Sequence, residues 1–264
     1  MQRLVAFRRF LSGYIGANFQ SALEYRLSFA TQVFAMLLND CMWLIFWLAY
    51  FGKFQLVAGW GRDEIVMLWA IVAAGYGLGT ALCGNLFRLA GMIVRGEMDF
   101  FLALPKPVLT HALISRMNLT APGDILFGLL GFGLIVQPSA LQWLLFVLLT
   151  ITTALIFVGF GVITQSLSFW LGNAEGLAQQ LANALITFST YPTVIFGGAV
   201  KLALFTVIPA GFIAYVPVQL LREFSLPLLS WLLAFVIGIV AAGWLVFRAG
   251  LRHYESGNLV LMRE

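Results

Sequence analysis

The sequence has very few charged residues for its length. Of its 264 residues, 15 are Lys or Arg and 11 are Asp or Glu, which makes 10% charged, against about 25% in a typical soluble domain. Apolar side chains make up 61% of the chain, and the mean hydropathy is +0.95. This balance excludes an ordinary soluble globular domain. Because a spanning helix needs about 20 mostly apolar residues, the chain has room for six spans with short connections.

Residues that hold metals or perform chemistry are also scarce. The two cysteines, Cys41 and Cys83, lie in apolar stretches without a His or a second Cys at ligand spacing, which is typical of buried thiols. We therefore predict no metal site, no cofactor-binding residue and no catalytic residue in this chain. The net charge of +4 is small and unevenly distributed, so no nucleic-acid partner is predicted.

The sequence contains no phosphate-binding loop of the kind found in ATPases. Glycines do cluster at Gly75, Gly77, Gly79 and Gly84, but no alternation of strands and helices surrounds them. The four-residue spacing of Gly75 and Gly79 instead indicates close packing between two helices in a membrane.

The apolar stretches predict an all-α integral membrane protein that forms a single domain over residues 1–264. Residues 1–25 place apolar and basic side chains at helical spacing, which favours an amphipathic helix lying in the cytoplasmic headgroup layer. Six transmembrane helices are predicted, at residues 27–51, 65–87, 119–136, 141–170, 177–197 and 226–247.

Basic residues predict the orientation of these spans. With six spans and a cytoplasmic N-terminus, about eleven of the 15 Lys and Arg residues are cytoplasmic, and four (Lys53, Arg62, Lys201 and Arg222) lie outside. Cytoplasmic segments of membrane proteins carry the excess of basic residues. Both termini are therefore predicted to be cytoplasmic.

Residues 202–217 form a short apolar stretch that is interrupted by Pro209 and closed by Pro217. If this stretch crossed the membrane, the C-terminus would lie outside, against the distribution of basic residues. We favour a re-entrant pair of half-helices on the outer side, before the last span, with a full crossing as the alternative. Irregular backbone at membrane depth needs cover from protein or from a wet cavity.

The link at residues 96–107 is the most informative cytoplasmic segment. Glu97 and Asp99 suit the first turn of a helix about two turns long, and Pro105 and Pro107 would end it. The apolar residues of this helix are Met98, Phe100, Phe101, Leu102 and Leu104. They occupy more than one face, which is more hydrophobic surface than a solvated loop exposes. The helix either lies on the lipid surface or enters a groove on a cytoplasmic partner.

Acidic residues at apparent membrane depth are costly, by about 2.5 to 3.5 kcal/mol for a charge at the bilayer centre. Asp40, beside Asn39, falls near the middle of the first predicted span and must face protein or water. A place in a translocation path and a hydrogen bond between helices explain it equally well. Asp124, about one turn inside the third span, favours a structural role near the inner surface. His111 and His253 fall in cytoplasmic segments and are predicted to be ordinary solvated histidines.

Four segments carry a resemblance to a known family. They are RGEMDFFLALPKPV at 95–108, STYPTVIFGG at 189–198, IPAGFIAYVPVQLL at 208–221 and LRHYESGN at 251–258. Together they resemble the permease subunit of an ATP-binding-cassette (ABC) exporter, and more narrowly the small six-span permeases of the type-2 class. The resemblance covers nearly the whole chain in order.

The resemblance implies that the 96–107 segment is a coupling helix seated on an ATPase. The residues implied at that interface are Glu97, Met98, Asp99, Phe100, Phe101, Leu102 and Leu104. The translocation path is expected to include Asn39, Asp40, Tyr191 and Phe196. The implied partners are two ABC ATPase subunits, which would carry ATP and Mg²⁺, and a second permease chain, identical or a sister. The chain would then be a multi-pass protein of the inner or plasma membrane, in contact with lipid and not an enzyme alone.

Two other functions stay open as alternatives. An ion-coupled secondary transporter would commonly show internal repeats, and a membrane-embedded enzyme acting on lipids needs a convergent acid, base or nucleophile set. The sequence shows no convincing repeat and no His–Asp or Ser–His grouping at an interface. It does not rank lipids, peptides, hydrophobic drugs or glycans as the substrate, and export follows from the resemblance alone.

Overall fold

The computed structural model describes residues 2–54, 56, 59–192 and 195–255, and within these ranges the regular elements are helices without a β-strand. The predicted all-α class is therefore confirmed. In chain order the helices are α1 (Gln2–Glu24), α2 (Arg26–Lys53), α3 (Arg62–Leu82), α4 (Leu89–Val94), α5 (Met98–Leu102), α6 (Val108–Ile114), α7 (Ala121–Gly131), α8 (Ala140–Ser166), α9 (Ser168–Leu171), α10 (Glu175–Ser189), α11 (Gly198–Thr206), α12 (Ala210–Ile213), α13 (Tyr215–Arg222) and α14 (Leu226–Gly250). A 3₁₀ turn (Leu86–Arg88) precedes α4, and a π-helical segment (Phe132–Val136) extends α7.

The longer helices pack side by side in alternating directions. Gly77 of α3 meets Ala121 at the start of α7, whereas Gly128 of α7 meets Ala70, so these two helices are antiparallel. Contacts of the same kind show that α3, α8 and α14 run one way and α2, α7 and α10 run the other. We call the end of the bundle that carries α1 and α4–α6 the near end, and the end that carries α11–α13 the far end.

Small residues let α3 approach two neighbours at once. A Cβ atom at Gly79 would lie 3.3 Å from the backbone oxygen of Ala154, and one at Gly75 would overlap the Thr153 side chain, both on α8. Gly77 lies against α7 instead. The packing role predicted for Gly75 and Gly79 is confirmed, and α3 is buried along most of its length.

Four helical units within the described residues are long and apolar enough to cross a membrane: α2, α3, α8 with α9, and α14. The unit formed by α7 and its π-helical end is shorter, over Ala121–Val136. Helix α10 has 15 residues, a length of about 22 Å against roughly 30 Å of hydrocarbon. The chain thus has the multi-pass helical character predicted from its sequence, while a count of six spans stays a prediction.

The predicted span at 177–197 is longer than the helix that the structure places there. Helix α10 ends at Ser189. Pro192 follows closely, and a proline disfavours the helical conformation of the residue before it. Thr190, Tyr191 and Pro192 therefore lie outside the helix although the composition of this stretch would suit a span, and residues 193–194 of the predicted span lie outside the described residues.

The predicted span at 65–87 also ends early, at Leu82. The chain turns away there, and the N–H of Gly84 donates to the backbone oxygen of Arg116 at 3.0 Å. A side chain at Gly84 would overlap the backbone of Arg116. The turn is therefore held by a long-range backbone contact that hydropathy does not reveal.

Helices α11 and α12–α13 form a bent pair over the far end. The axis of α11 makes an angle of 72° with that of Ala210–Arg222, and Pro209 lies at the break. Ile213 and Leu220 are fully buried, and α13 packs against α3, α8 and α14. The geometry fits both alternatives for residues 202–217, a re-entrant pair and a broken span.

Candidate functional site

Helix α5 lies at the near end, between α4 and α6. The chain reverses before it at Gly96, whose φ of 75° is a left-handed conformation that glycine adopts without strain. The helix covers five residues, which is shorter than the two turns predicted within 96–107. Pro105 disfavours helical geometry at Leu104, so the helix stops before it.

One face of α5 is anchored in a hydrophobic cluster. Met98 is fully buried, and Phe101 is only 6% exposed. The cluster joins them to buried residues of α4, α6, α8, α9 and α14: Leu89, Met92, Leu113, Val162, Phe169 and Phe247. Helix α5 is therefore attached firmly to helices that run the length of the bundle.

Two other apolar side chains of α5 are exposed, on different sides of the helix. Phe100 is 63% exposed, Leu102 is also exposed, and Glu97 flanks them at the surface. Of the predicted coupling set, Met98 and Phe101 are buried and support the helix from inside. The sequence could not reveal this difference, because a helix of five residues is too short for its apolar spacing to show which side chains are buried. The role of the set at an ATPase interface stays a prediction.

Asp99 and Leu104 complete the predicted coupling set. Asp99 accepts a hydrogen bond from the Tyr254 hydroxyl at 2.9 Å, so it holds the C-terminal segment to α5. Burial and this hydrogen bond raise the pKa of Tyr254 well above its usual range. Leu104 is half-buried. The side chains of both residues are therefore less exposed than that of Phe100.

His111, predicted to be solvated, is buried, so that prediction is wrong. Its Nε2 atom lies 2.6 Å from the Tyr14 hydroxyl of α1, and its ring meets those of Phe10 and Phe101 edge-on. Burial and the nearby charge of Lys106 lower the pKa of His111. The residues around His111 in sequence do not show that α1 covers it, because the covering residues are almost a hundred positions away.

We expect mild acid to loosen α1 from the near end. A histidine whose pKa is lowered by folding stabilises the fold fully above its unfolded value of about 6.5, and this contribution is lost as the pH falls below that value. The protection of residues 10–18 against hydrogen exchange, measured relative to the intrinsic exchange rate at each pH, should therefore fall in the wild-type protein between about pH 7.5 and about pH 5.5. This loss of protection should be much smaller in His111→Phe, and equal losses in both proteins would contradict this role.

A second feature lies inside the bundle, where a cavity of about 370 Å³ opens among α2, α3, α7, α8 and α10. Its aromatic wall consists of Trp43, Trp47, Trp69, Tyr76, Phe157 and Tyr191. Asn39, Asp40 and Tyr191, three of the residues predicted for a translocation path, line this cavity. Phe196 does not line it and packs instead against Phe188, with ring centroids 5.5 Å apart.

Two acidic side chains meet in the cavity. Asp40 of α2 is 4% exposed and Asp124 of α7 is 2% exposed, and their carboxyl groups interact. The amide of Asn39 lies 3.5 Å from Oδ1 of Asp40. The Oδ2 atom of each aspartate has no hydrogen-bond donor among the described residues. Such a pair requires a proton or a cation between its two groups, because buried carboxylates repel each other and pay for lost hydration.

The pairing of Asp40 with Asp124 departs from the sequence-based prediction, which placed Asp124 apart, in a structural role near the inner surface. Helices α2 and α7 approach closely at Gly123, where a Cβ atom would lie 2.5 Å from the backbone oxygen of Val33. One signal could have suggested the pair, since both acids interrupt apolar stretches and a buried charge requires a partner. No group of three or more His, Cys, Asp or Glu side chains that could hold a metal occurs within the described ranges.

Several helices long and apolar enough to cross a membrane, packed around a partly polar cavity, characterise a multi-pass membrane protein. A family model described as ABC-2 family transporter protein matches residues 37–257, which is most of the chain, and the chain belongs to this family. The resemblance seen in the sequence is thereby confirmed. Members are membrane components of transporters, are not themselves catalytic and associate with ABC ATPase components. Neither the curated proteins nor the solved structures gave a match.

Proposed function

We propose that this chain is the transmembrane permease subunit of an ATP-driven ABC exporter. It forms the translocation path with a second permease chain, identical or a sister, and couples to two ABC ATPase subunits that bind ATP and Mg²⁺. The near end faces the cytoplasm, six spans cross the inner or plasma membrane, and α11–α13 are re-entrant on the outer side. ATP-driven closure of the ATPases pushes on α5 and tilts the spans.

The exposed apolar side chains of α5, held on a rigid base, are the observation that carries this proposal. Phe100 is 63% exposed and lies beside Phe101, which packs edge-on against His111 and joins the hydrophobic cluster. That cluster reaches the long helices α8 and α14 at Val162 and Phe247. A force applied to Phe100 is thereby transmitted to α8 and α14. A helix that only rested on lipid would not need such a connection to the long helices.

A second connection links α5 to the cavity. Arg95 donates to Glu97 at 2.8 Å and lies 3.9 Å from Glu175, at the start of α10. These side chains are about half exposed, so each ion pair adds only about 0–1 kcal/mol to stability. The pairs nevertheless place the first turn of α10 beside α5. Because Thr187 and Thr190 at the other end of α10 line the cavity, a tilt of α5 reaches the cavity wall through this helix.

Replacing Phe100 by Asp should remove the ATPase from the purified permease. Truncating an aromatic residue that fills a groove on a partner commonly costs about 2 kcal/mol or more, roughly 30-fold in affinity, and a carboxylate adds a desolvation cost. Tagged permease would be purified from the membranes of its own cells. Copurifying ATP hydrolysis would then be measured and assigned by mass spectrometry to a chain with a phosphate-binding loop.

Phe54→Asp is the matched control for this experiment. Phe54 is 49% exposed and follows α2, at the far end of the bundle. This variant should keep the copurifying ATPase, and both variants should elute as monodisperse proteins because neither ring is buried. Full retention of the ATPase by Phe100→Asp would remove the coupling role from α5.

A further inference from the structure

The paired acids of the cavity have no positive partner among the residues that the structure describes. None of the ion pairs formed by the described residues includes Asp40 or Asp124, although both side chains are more than nine-tenths buried. A proton shared between the two carboxyl groups would join them, but it would still leave one buried negative charge without a cationic side chain to balance it. Both residues line a cavity with room for a ligand that would supply the missing charge.

The wall beside these acids is aromatic. Trp43 stacks on Trp69 with ring centroids 6.0 Å apart, and Trp47 meets Tyr191 edge-on, also at 6.0 Å. Indole and phenol rings attract cations over their faces and also bury apolar groups. An aromatic wall next to two carboxyl groups therefore recognises positive charge and apolar surface in the same ligand.

Other classes of ligand fit this cavity less well. Mg²⁺ and Ca²⁺ take about six or more oxygen ligands, and the described residues bring no third acidic, His or Cys side chain to the pair. A neutral or anionic ligand would leave the carboxyl groups without a counter-charge. The volume of about 370 Å³ lies in the range of small-molecule sites, roughly 300–1,000 Å³.

We propose that the cavity binds an organic cation with apolar substituents. Its charge lies between Asp40 and Asp124, and its apolar groups lie against Trp43, Trp47 and Trp69. This inference rests on the proposed function, because it makes such cations the substrate class that the transporter moves.

Equilibrium binding of two matched probes to the purified full-length chain tests the inference. Tetraphenylphosphonium and tetraphenylborate have nearly the same shape and opposite charge, so their comparison removes simple hydrophobic partitioning. The wild-type protein should bind the phosphonium at least about tenfold more tightly than the borate. The double variant Asp40→Asn with Asp124→Asn should lose that preference, whereas Asp63→Asn, an exposed acid at the start of α3, should retain it.

Three outcomes would overturn the inference: equal binding of both probes by the wild-type protein, no saturable binding of the phosphonium, or an unchanged preference in the double variant. Where the double variant fails to fold, the single variants Asp40→Asn and Asp124→Asn replace it, and an unchanged charge preference in both would overturn the inference. The binding assay needs no ATPase, so its result is independent of the Phe100→Asp experiment. If the cation binds but no ATPase copurifies with the wild-type permease, the proposed function is wrong and the proposed ligand class is retained. If an ATPase copurifies but the cation does not bind, the exporter function is retained and the ligand class is wrong.

Discussion

Replacing Phe101 by Asp is expected to prevent the near end of the protein from folding. The Phe101 ring packs on His111 with centroids 5.0 Å apart and shares a cluster with the fully buried Met98. Removing a buried phenylalanine costs about 3–5 kcal/mol, and an unpaired buried carboxylate adds several kcal/mol unless it takes up a proton. The variant should yield little monodisperse protein, and residues 89–114 should become sensitive to protease.

Two comparisons separate this effect from loss of a partner. Phe101→Leu keeps an apolar side chain and should fold, with a loss of about 1–2 kcal/mol. Phe100→Asp, one position away, should fold as well as the wild-type protein because its ring is exposed. A stable and monodisperse Phe101→Asp would show that α5 is not anchored as the structure indicates. If the variant fails to fold, it cannot serve as a test of ATPase binding.

Replacing Gly123 by Ala is expected to destabilise the contact between α2 and α7. The added Cβ atom would lie 2.5 Å from the backbone oxygen of Val33 and 2.9 Å from Cβ of Met36. Because a backbone atom cannot rotate away, the two helices must separate, at a cost of about 1–3 kcal/mol. Unfolding of the purified protein in detergent should therefore begin at a lower temperature.

Gly131→Ala, in the same helix, is the matched control. The nearest atom to its added Cβ is Cγ1 of Val66, at 4.0 Å, which is an ordinary contact. Since alanine favours a helix over glycine by up to about 1 kcal/mol, this variant should be as stable as the wild-type protein or slightly more so. Equal effects of the two substitutions would mean that the close approach at Gly123 does not hold the helices together. The approach also sets the separation of Asp40 and Asp124, so Gly123→Ala should weaken the charge preference for tetraphenylphosphonium.

Much of the fold can be predicted from the sequence because membrane helices are encoded locally. A run of about 20 apolar residues must form a helix in lipid to satisfy its own backbone, and such runs predicted α2, α3, α8 and α14. The spacing of Gly75 and Gly79 likewise predicted a tight helix contact. The family resemblance rested on four segments in order along the chain, and the family match confirms it.

The candidate site could be predicted only in part. Asn39, Asp40 and Tyr191 line one cavity, whereas Phe196 lies outside its lining. Their place in a translocation path stays a prediction. Glu97, Phe100 and Leu102 form the surface expected at α5, while Met98 and Phe101 face inward. In both cases the sequence indicated the chemistry of each residue type. It did not indicate the direction in which each side chain points.

Composition and apolar periodicity were enough to establish a helical membrane protein, since the length and polarity of a spanning helix depend on neighbours along the chain. Contacts between distant segments determined how the helices pack and which side chains meet. The cover of α1 over His111, the end of α3 at the Arg116 backbone and the meeting of Asp40 with Asp124 all join residues far apart in sequence. Such contacts depend on which helices lie side by side, and no local pattern specifies that.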